Sequence, residues 1–224
     1  MSGAHRPRML VAEGVSKAFG TGTSRTVVLE SVDLVVHDEE KVSLVGPSGS
    51  GKSTLLSLVA GLGRPDAGRI SIGGVATDGL DDAGRAALRA ERVGVVLQSD
   101  NLIPFLTALE NVELAMGFTR RPGRRGRPRE LLAALGVDHR RDHLPRRLSG
   151  GEAQRVSIAV ALANAPALLL ADEVVGQLDS ATAEHVVDVI FGSELAVLFV
   201  THDESLAARG DRRLRLVDGS LVEW

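Results

Sequence analysis

The stretch Gly46-Pro47-Ser48-Gly49-Ser50-Gly51-Lys52-Ser53 constrains the fold of this chain more than any other. It lies between the apolar run Val42-Ser43-Leu44-Val45 and the run Thr54-Leu55-Leu56-Ser57-Leu58-Val59-Ala60. The order is therefore strand, loop, helix, as a G-x-x-x-x-G-K-[ST] loop requires. Its glycines let the backbone fold tightly enough for successive N–H groups to point inward. The following helix brings its partly positive N-terminal end to the same place. Phosphate groups fit such a cup. Lys52 adds a full positive charge toward the β- and γ-phosphates of a nucleotide, and Ser53 offers its hydroxyl to a magnesium ion. The plainer alternative, a glycine-rich surface turn that happens to carry a lysine, leaves the elements on both sides unexplained.

Composition narrows the class of protein. With 224 residues, 44% of them hydrophobic and 25% charged, the chain can bury a core of its own and suits one domain with an attached subdomain. The absence of cysteine excludes a disulfide framework, a thiolate metal site and thiol catalysis. Residues 1–9 lack the apolar core of a secretory leader, and the apolar stretch 156–171 is too short and too interrupted to span a bilayer. A formal net charge of -3 gives no general case for nucleic-acid or anionic-membrane binding.

Taken in order, the chain opens with β signals at 9–13, 26–29 and 31–36, and the last of these alternates apolar and polar residues as a half-buried strand does. Phe19 stands out because aromatics make up only 3% of the chain. It reads either as a platform for a flat ring or as an ordinary core or turn residue. Beyond the phosphate loop, the pattern predicts a hairpin over 69–76, a polar helix over 81–91 and a buried strand over 93–97. That strand delivers Gln98 to its carboxyl end, where an open α/β sheet places its ligand crevice. Residues 101–164 are mostly helical, and Thr107 followed by Glu110 has the spacing of a capping box. The basic run over 120–129 contains two prolines, two glycines and no aromatics. It reads as a solvated loop between helices, the alternative being a site for acidic headgroups or RNA.

A second constellation follows. Leu148-Ser149-Gly150-Gly151-Glu152-Ala153-Gln154-Arg155 precedes a predicted helix over 156–164, and Leu168-Leu169-Leu170-Ala171 then ends in Asp172-Glu173. Two carboxylates at the end of a buried strand need a counter-charge, which magnesium and Lys52 would supply. Together with the phosphate loop, these motifs resemble those of the ATP-binding cassette ATPases, and the resemblance covers essentially the whole chain. It implies an α/β fold: a P-loop NTPase (RecA-like) core, an N-terminal antiparallel β subdomain and an inserted helical subdomain over about 101–164, all within one nucleotide-binding domain spanning 1–224. The stretch 98–112 is similar to the subgroup serving lipoprotein release, macrolide or peptide export, and cell division.

The resemblance also implies roles. ATP and magnesium would be the cofactors. Phe19 would stack on adenine. Residues Gly46, Pro47, Ser48, Gly49, Ser50, Gly51, Lys52, Ser53 and Thr54 would hold the phosphates. Ser53, Gln98 and Asp172 would hold the metal, Glu173 would act as base, and His202 in Val200-Thr201-His202-Asp203 would stabilise the transferred phosphoryl group. The ATP-bound form would be a head-to-tail homodimer in which Ser149, Gly150, Gly151 and the D-loop Asp179 serve the partner's nucleotide. A separate membrane permease would hold the chain at the cytoplasmic face of the membrane and choose the cargo. A nucleotide-dependent switch on a membrane partner, without transport, is the alternative. One departure bears on the chemistry: Val174-Val175 follows Glu173 where the family usually carries proline and then serine or threonine, so a constraint on the backbone beside Glu173 is missing.

Overall fold

Apolar residues line one side of Arg8–Phe19 (β1) and Thr26–His37 (β2). In the computed structural model, which describes residues 6–97, 101–118, 127–176 and 178–224, these segments pair as one long antiparallel ribbon. Sequence patterning predicts separate strands at 26–29 and 31–36. The structure joins them, because Ser31 takes a left-handed φ of 49° and the register shifts around it, a bulge that bends β2 without ending it. Lys41–Val45 (β3) comes next, then Ala67–Ile72 (β4) and Val75–Ala76 (β5). The first sheet has the order β2-β1-β4-β5.

The second sheet follows different chemistry. It contains β3, Val93–Val96 (β6), Leu168–Asp172 (β7), Ala196–Val200 (β8), Arg212–Val217 (β9) and Ser220–Glu223 (β10), in the order β10-β9-β3-β8-β7-β6. All neighbours run parallel except the β9–β10 pair. Every residue of β3, β7 and β8 is buried, as expected of parallel strands covered on both faces. Side chains alternate between two cores. Leu168, Leu170 and Leu198 join Leu10 and Leu55 under the antiparallel sheet, whereas Leu169, Ala171 and Phe199 join Val156 and Ile158 on the opposite face.

Lys52–Val59 (α1) follows β3, and Asp82–Arg92 (α2) is capped by the Asp81 side chain, which accepts from Gly84 N. Ala108–Gly117 (α3), Arg127–Ala134 (α4) and Gly150–Leu162 (α5) pack against one another and form the helical part, with short 3-10 turns at Asp138–Arg140 and Pro145–Arg147. The sequence places the start of α5 near 156; the structure starts it at Gly150. Two adjacent glycines read as loop by propensity, but Ser149 and Glu152 close a capping box that carries the helix back over them. Ser180–Phe191 (α6) and the single turn Glu204–Ala207 (α7) complete the fold.

Phe199 is fully buried on β8, with its ring edge-on to Phe191 of α6 at 5.5 Å between centroids. Phe199→Ala therefore removes a large apolar contact on a strand whose next residue, Val200, borders the site. The expected loss is about 3–5 kcal/mol of unfolding free energy, read from denaturant midpoints. A loss under about 1 kcal/mol would mean that this core closes over the gap.

Candidate functional site

The loop after β3 is shaped by what it cannot accommodate. Gly46 has a φ of 153°, and a Cβ there would lie 2.4 Å from the carbonyl oxygen of Leu216. Gly51 has a φ of 102°, and its Cβ would lie 2.9 Å from Val28. β9 and β2 thus press the loop into a cup that only glycine permits at these two points. Gly51 caps α1 without any side-chain hydrogen bond, so the first N–H groups of that helix are left for an anion. The Ser50 hydroxyl is buried with no partner, an orphaned polar atom inside the cup. Pro47, Ser48 and Gly49 form the open rim and Thr54 is half-buried. Lys52 is buried and donates from Nζ to the carbonyls of Gly46 and Pro47, both at 2.9 Å. Constricted glycines, free amides, an orphaned hydroxyl and a held cation fit a chain of phosphates.

Ser53 donates its hydroxyl to the Asp172 carboxylate at the end of β7. Burial pushes the Asp172 carboxyl above the ordinary range. The Ser53 hydrogen bond opposes this, the neighbouring Glu173 charge adds to it, and Lys52 opposes it. A buried carboxylate raised by a like charge is relieved by a cation. Among the described residues no group of three or more His, Asp or Glu side chains could hold a metal. The buried Asp172 carboxylate beside the Ser53 hydroxyl fits magnesium in the way that this ion is usually held, with substrate phosphates completing the shell.

Glu173 has a left-handed φ of 49°. Its N–H donates to Val200 at 3.0 Å and its carbonyl accepts from Gly176 N at 3.2 Å, while Val174 and Val175 are both buried in the second core. The Glu173 carboxylate lies 3.6 Å from His202 Nδ1, so the two side chains share one corner. Residues that sequence reasoning passed over hold His202. Buried Thr201 accepts from Asp203 N at 3.1 Å, and the Asp203 carboxylate caps α7 through Ser205 N and Leu206 N. The Ser205 hydroxyl, which donates to the same carboxylate, chiefly holds the Asp203 carboxyl below the usual range, and the Leu206 and Ser205 N–H groups add to this. An aspartate directly before a helical turn was the available signal.

The remaining residues lie on other elements. Phe19 ends β1 and is 52% exposed, which rules out the core reading; Lys17 Nζ stands 5.7 Å from its ring centroid. Ser149 and Gly150 are exposed at the tip of α5, with Gly151 half-buried behind them. Ser149 Oγ accepts from Glu152 N at 3.2 Å, and Glu152 accepts from Ser149 N at 2.8 Å and from Arg140 Nε at 2.8 Å. Asp179 caps α6, taking hydrogen bonds from Thr182 that hold its carboxyl below the usual range. Gln98 lies outside the described residues, as does most of the basic run, 120–126. Asn101, another residue missed by sequence, pairs with both backbone groups of Leu97 just before it. Beside this point lies a cleft of about 580 Å³ lined by Arg89, Val95, Asn101, Asn111, Leu114 and Phe118.

Known proteins resemble this chain over most of its length. The family model described as ABC transporter matches residues 29–176. A lipoprotein-releasing system ATP-binding protein, LolD of Cereibacter sphaeroides, is 47% identical, covering 96% of this chain and 99% of its own. The uncharacterized ABC transporter ATP-binding protein YbbA of Escherichia coli K12 is 46% identical, covering 93% and 94%. The dimeric post-hydrolysis structure of the ATP-binding cassette MJ0796 bound to ADP and Pi superposes with a TM-score of 0.89 at 38% identity, covering 96% of this chain and 98% of that one.

The Glu152 carboxyl is pulled from an ordinary 4.5 to about 2, first by the Ser149 N–H and then by Arg140. A depressed folded value means that the contribution is complete above about pH 4.5 and is lost as the pH falls toward 2. The stability gap between the parent and Glu152→Gln, measured by denaturant midpoints, should be constant from about pH 7 to 5 and should narrow below that. A gap that stayed constant on acidification would exclude an ionised Glu152 as the origin of the effect.

Proposed function

The chain belongs to the ABC transporter ATPases, a family of P-loop NTPases, and on that premise we propose that it powers a separate membrane permease through head-to-tail closure of two copies over ATP. The whole chain, 1–224, acts as one nucleotide-binding unit whose helical part, about 101–164, meets the permease. The supporting observation is the convergence of Lys52, Ser53, Asp172, Glu173 and His202 at the carboxyl ends of three neighbouring parallel strands. Crevices at strand ends are where open α/β sheets bind ligands.

Bound ATP supplies the phosphoryl group, and magnesium neutralises charge on it. The chain's own residues do the rest. Phe19 offers an exposed ring to the base, and residues 46–54 grip the phosphates through amides, the Ser50 hydroxyl and Lys52. Ser53 and Asp172 hold the metal, with Gln98 as a further ligand. Glu173 takes a proton from the attacking water, and His202 stabilises the developing charge on the transferred group. Ser149, Gly150 and Gly151 present a hydroxyl and helix-terminal amides to the nucleotide of the other copy, with Asp179 placed beside the interface.

Among the described residues no helix is long and apolar enough to cross a membrane. Attachment at the cytoplasmic face therefore comes through the permease, which docks in the cleft beside Asn101. Relatives named for lipoprotein release favour export of lipidated or peptide-like cargo. The switch alternative rests on the subgroup resemblance together with the Val174-Val175 departure. Both side chains are anchored in the core, and the Glu173 carboxylate is held beside His202, an arrangement that favours hydrolysis.

Glu173→Gln should lower ATP turnover by about 10² to 10⁴ while leaving ATP binding intact, and should trap a dimer visible by sizing with ATP. Parental turnover in this variant would remove Glu173 from its role. Phe118 is 67% exposed at the rim of the cleft. Phe118→Asp should leave turnover of the isolated chain near the parental value. In pull-downs from detergent-solubilised membranes, it should fail to retain the multi-helix protein that the parent retains. Equal retention by both would place the docking surface elsewhere.

A further inference from the structure

Two arginines tie the tip of α5 to the rest of the helical part: Arg155 bridges Gly151 O to the carbonyls of Leu135 and Gly136, and Arg140 reaches the carboxylate of the capping box itself. Ser149 caps that helix, and Glu152, three residues on, uses one carboxylate oxygen for the Ser149 N–H at 2.8 Å. Its other oxygen accepts from Arg140 Nε at 2.8 Å, with His139 Nε2 at 3.6 Å. A capping box closes on its own. The guanidinium adds a connection from outside the helix, and it engages the oxygen that the box leaves over. Because the Ser149 oxygen already accepts from Glu152 N, its proton is free to be donated outward, toward the exposed tip.

The segment that carries Arg140 also carries a second helix. The carbonyls of Arg141 and His143 accept from Leu109 N and Ala108 N, each at 2.9 Å, so the first turn of α3 rests on them. Asp138 fastens the same segment through Arg141 at 3.2 Å and Arg129 at 3.6 Å. Farther along α3, buried Asn111 donates to the carbonyls of Ile103, Leu106 and Thr107 and accepts from Ile103 N. Asn111, Leu114 and Phe118 then line the cleft. One short piece of backbone, 138–143, therefore holds the N-termini of both helices: α3 through backbone carbonyls and α5 through one arginine side chain.

We propose that Arg140 is a positioning residue for Ser149, acting through Glu152 to tie the α5 tip to the segment that bears α3, so that the cleft and the Ser149 hydroxyl move as one body. The inference rests on the head-to-tail reading above, in which Ser149 serves the nucleotide of the other copy. Arg140 thus acts in trans. Its loss leaves untouched the loop that binds ATP within its own chain, and it loosens the contact that closes the dimer. Misplacement of a positioned group by about 1 Å can cost roughly a hundredfold in rate, which sets the scale of the effect.

The test uses the full chain with Glu173→Gln as background, so that closure is read without turnover. Nucleotide affinity is measured with a fluorescent ATP analogue at protein concentrations too low for dimer formation, and dimer affinity by sizing at saturating ATP and magnesium. Arg140→Ala, and Arg140→Met to retain the stem of the side chain, should each weaken the dimer about tenfold or more with nucleotide affinity within about twofold of the background. Arg140→Lys, which restores a charge to Glu152, should recover much of the loss. If Glu173→Gln alone dimerises and both neutral variants dimerise equally well, the role of Arg140 is overturned and the head-to-tail reading stands. If Glu173→Gln alone stays monomeric with ATP bound, the head-to-tail reading falls and this inference falls with it. Parallel losses of nucleotide and dimer affinity in both neutral variants would show general destabilisation in place of positioning, and would also overturn the proposal.

Discussion

The register of three parallel strands is the constraint on which the site depends. Val200 of β8 pairs with Leu44 of β3 on one side and with Asp172 of β7 on the other. The glycine-rich loop, the acidic pair and His202 therefore leave the sheet at one level, although they are far apart in sequence. Two further bonds carry that level past the strand ends: Thr201 N to Leu44 O at 3.2 Å, and Glu173 N to Val200 O at 3.0 Å. A slip of one residue would turn each strand's two faces inside out and move its terminal group off the crevice. Burial on both faces prevents that slip, because Leu169 and Phe199 belong to one core while Leu168 and Leu198 belong to the other. Apolar packing thus sets the geometry of polar groups that contribute little to it.

Within that frame, the electrostatics are arranged for an incoming ligand. Asp172 is buried and raised, and it stands next to a second carboxylate. Lys52 is buried and satisfied by two loop carbonyls. Neither charge has the other as a close partner, since the Asp172 carboxylate takes its hydrogen bond from Ser53. A tight lysine–aspartate pair would be a self-contained structural ion pair. With Lys52 held by loop carbonyls and Asp172 by the Ser53 hydroxyl, one charge is left for anions and the other for a cation.

Much of this was legible in the sequence. The loop 46–53, the buried run ending at Asp172-Glu173 and the Thr107/Glu110 box carry their meaning in spacing, since strand, turn and cap chemistry are local. The less legible parts depend on tertiary contacts. The start of α5 lay hidden because Gly150-Gly151 argue against helix locally, while the bond that overrides them comes from Glu152 and is reinforced by Arg140. The continuity of β2 through Ser31 depends on a bulge for which serine is not diagnostic. Thr201, Asp203, Asn101 and Asn111 are polar residues whose partners are backbone groups of turns, and such pairing has no period to detect. Arg140 is one of four arginines between 140 and 147, and only folding shows which carboxylate it reaches.

The valines after Glu173 show how a departure from family pattern can be compensated. A non-glycine residue at positive φ carries a strain of about 1–3 kcal/mol and persists only where its surroundings over-determine it. A proline next in the chain would restrict the backbone locally by fixing one torsion. Here the restriction comes from packing. Val174 is fully buried and Val175 nearly so, both in the core that also holds Ala171 and Phe199. Withdrawing either from that core would expose apolar surface at a cost of about 1.5–3 kcal/mol for a valine-sized side chain, comparable to the strain that it opposes. Hydrogen bonds on both sides of Glu173, to Val200 O and from Gly176 N, close the remaining freedom. The carboxylate is thus held near His202 by hydrophobic anchoring in place of covalent restriction. This arrangement ties the position of the Glu173 carboxylate directly to the integrity of the second core.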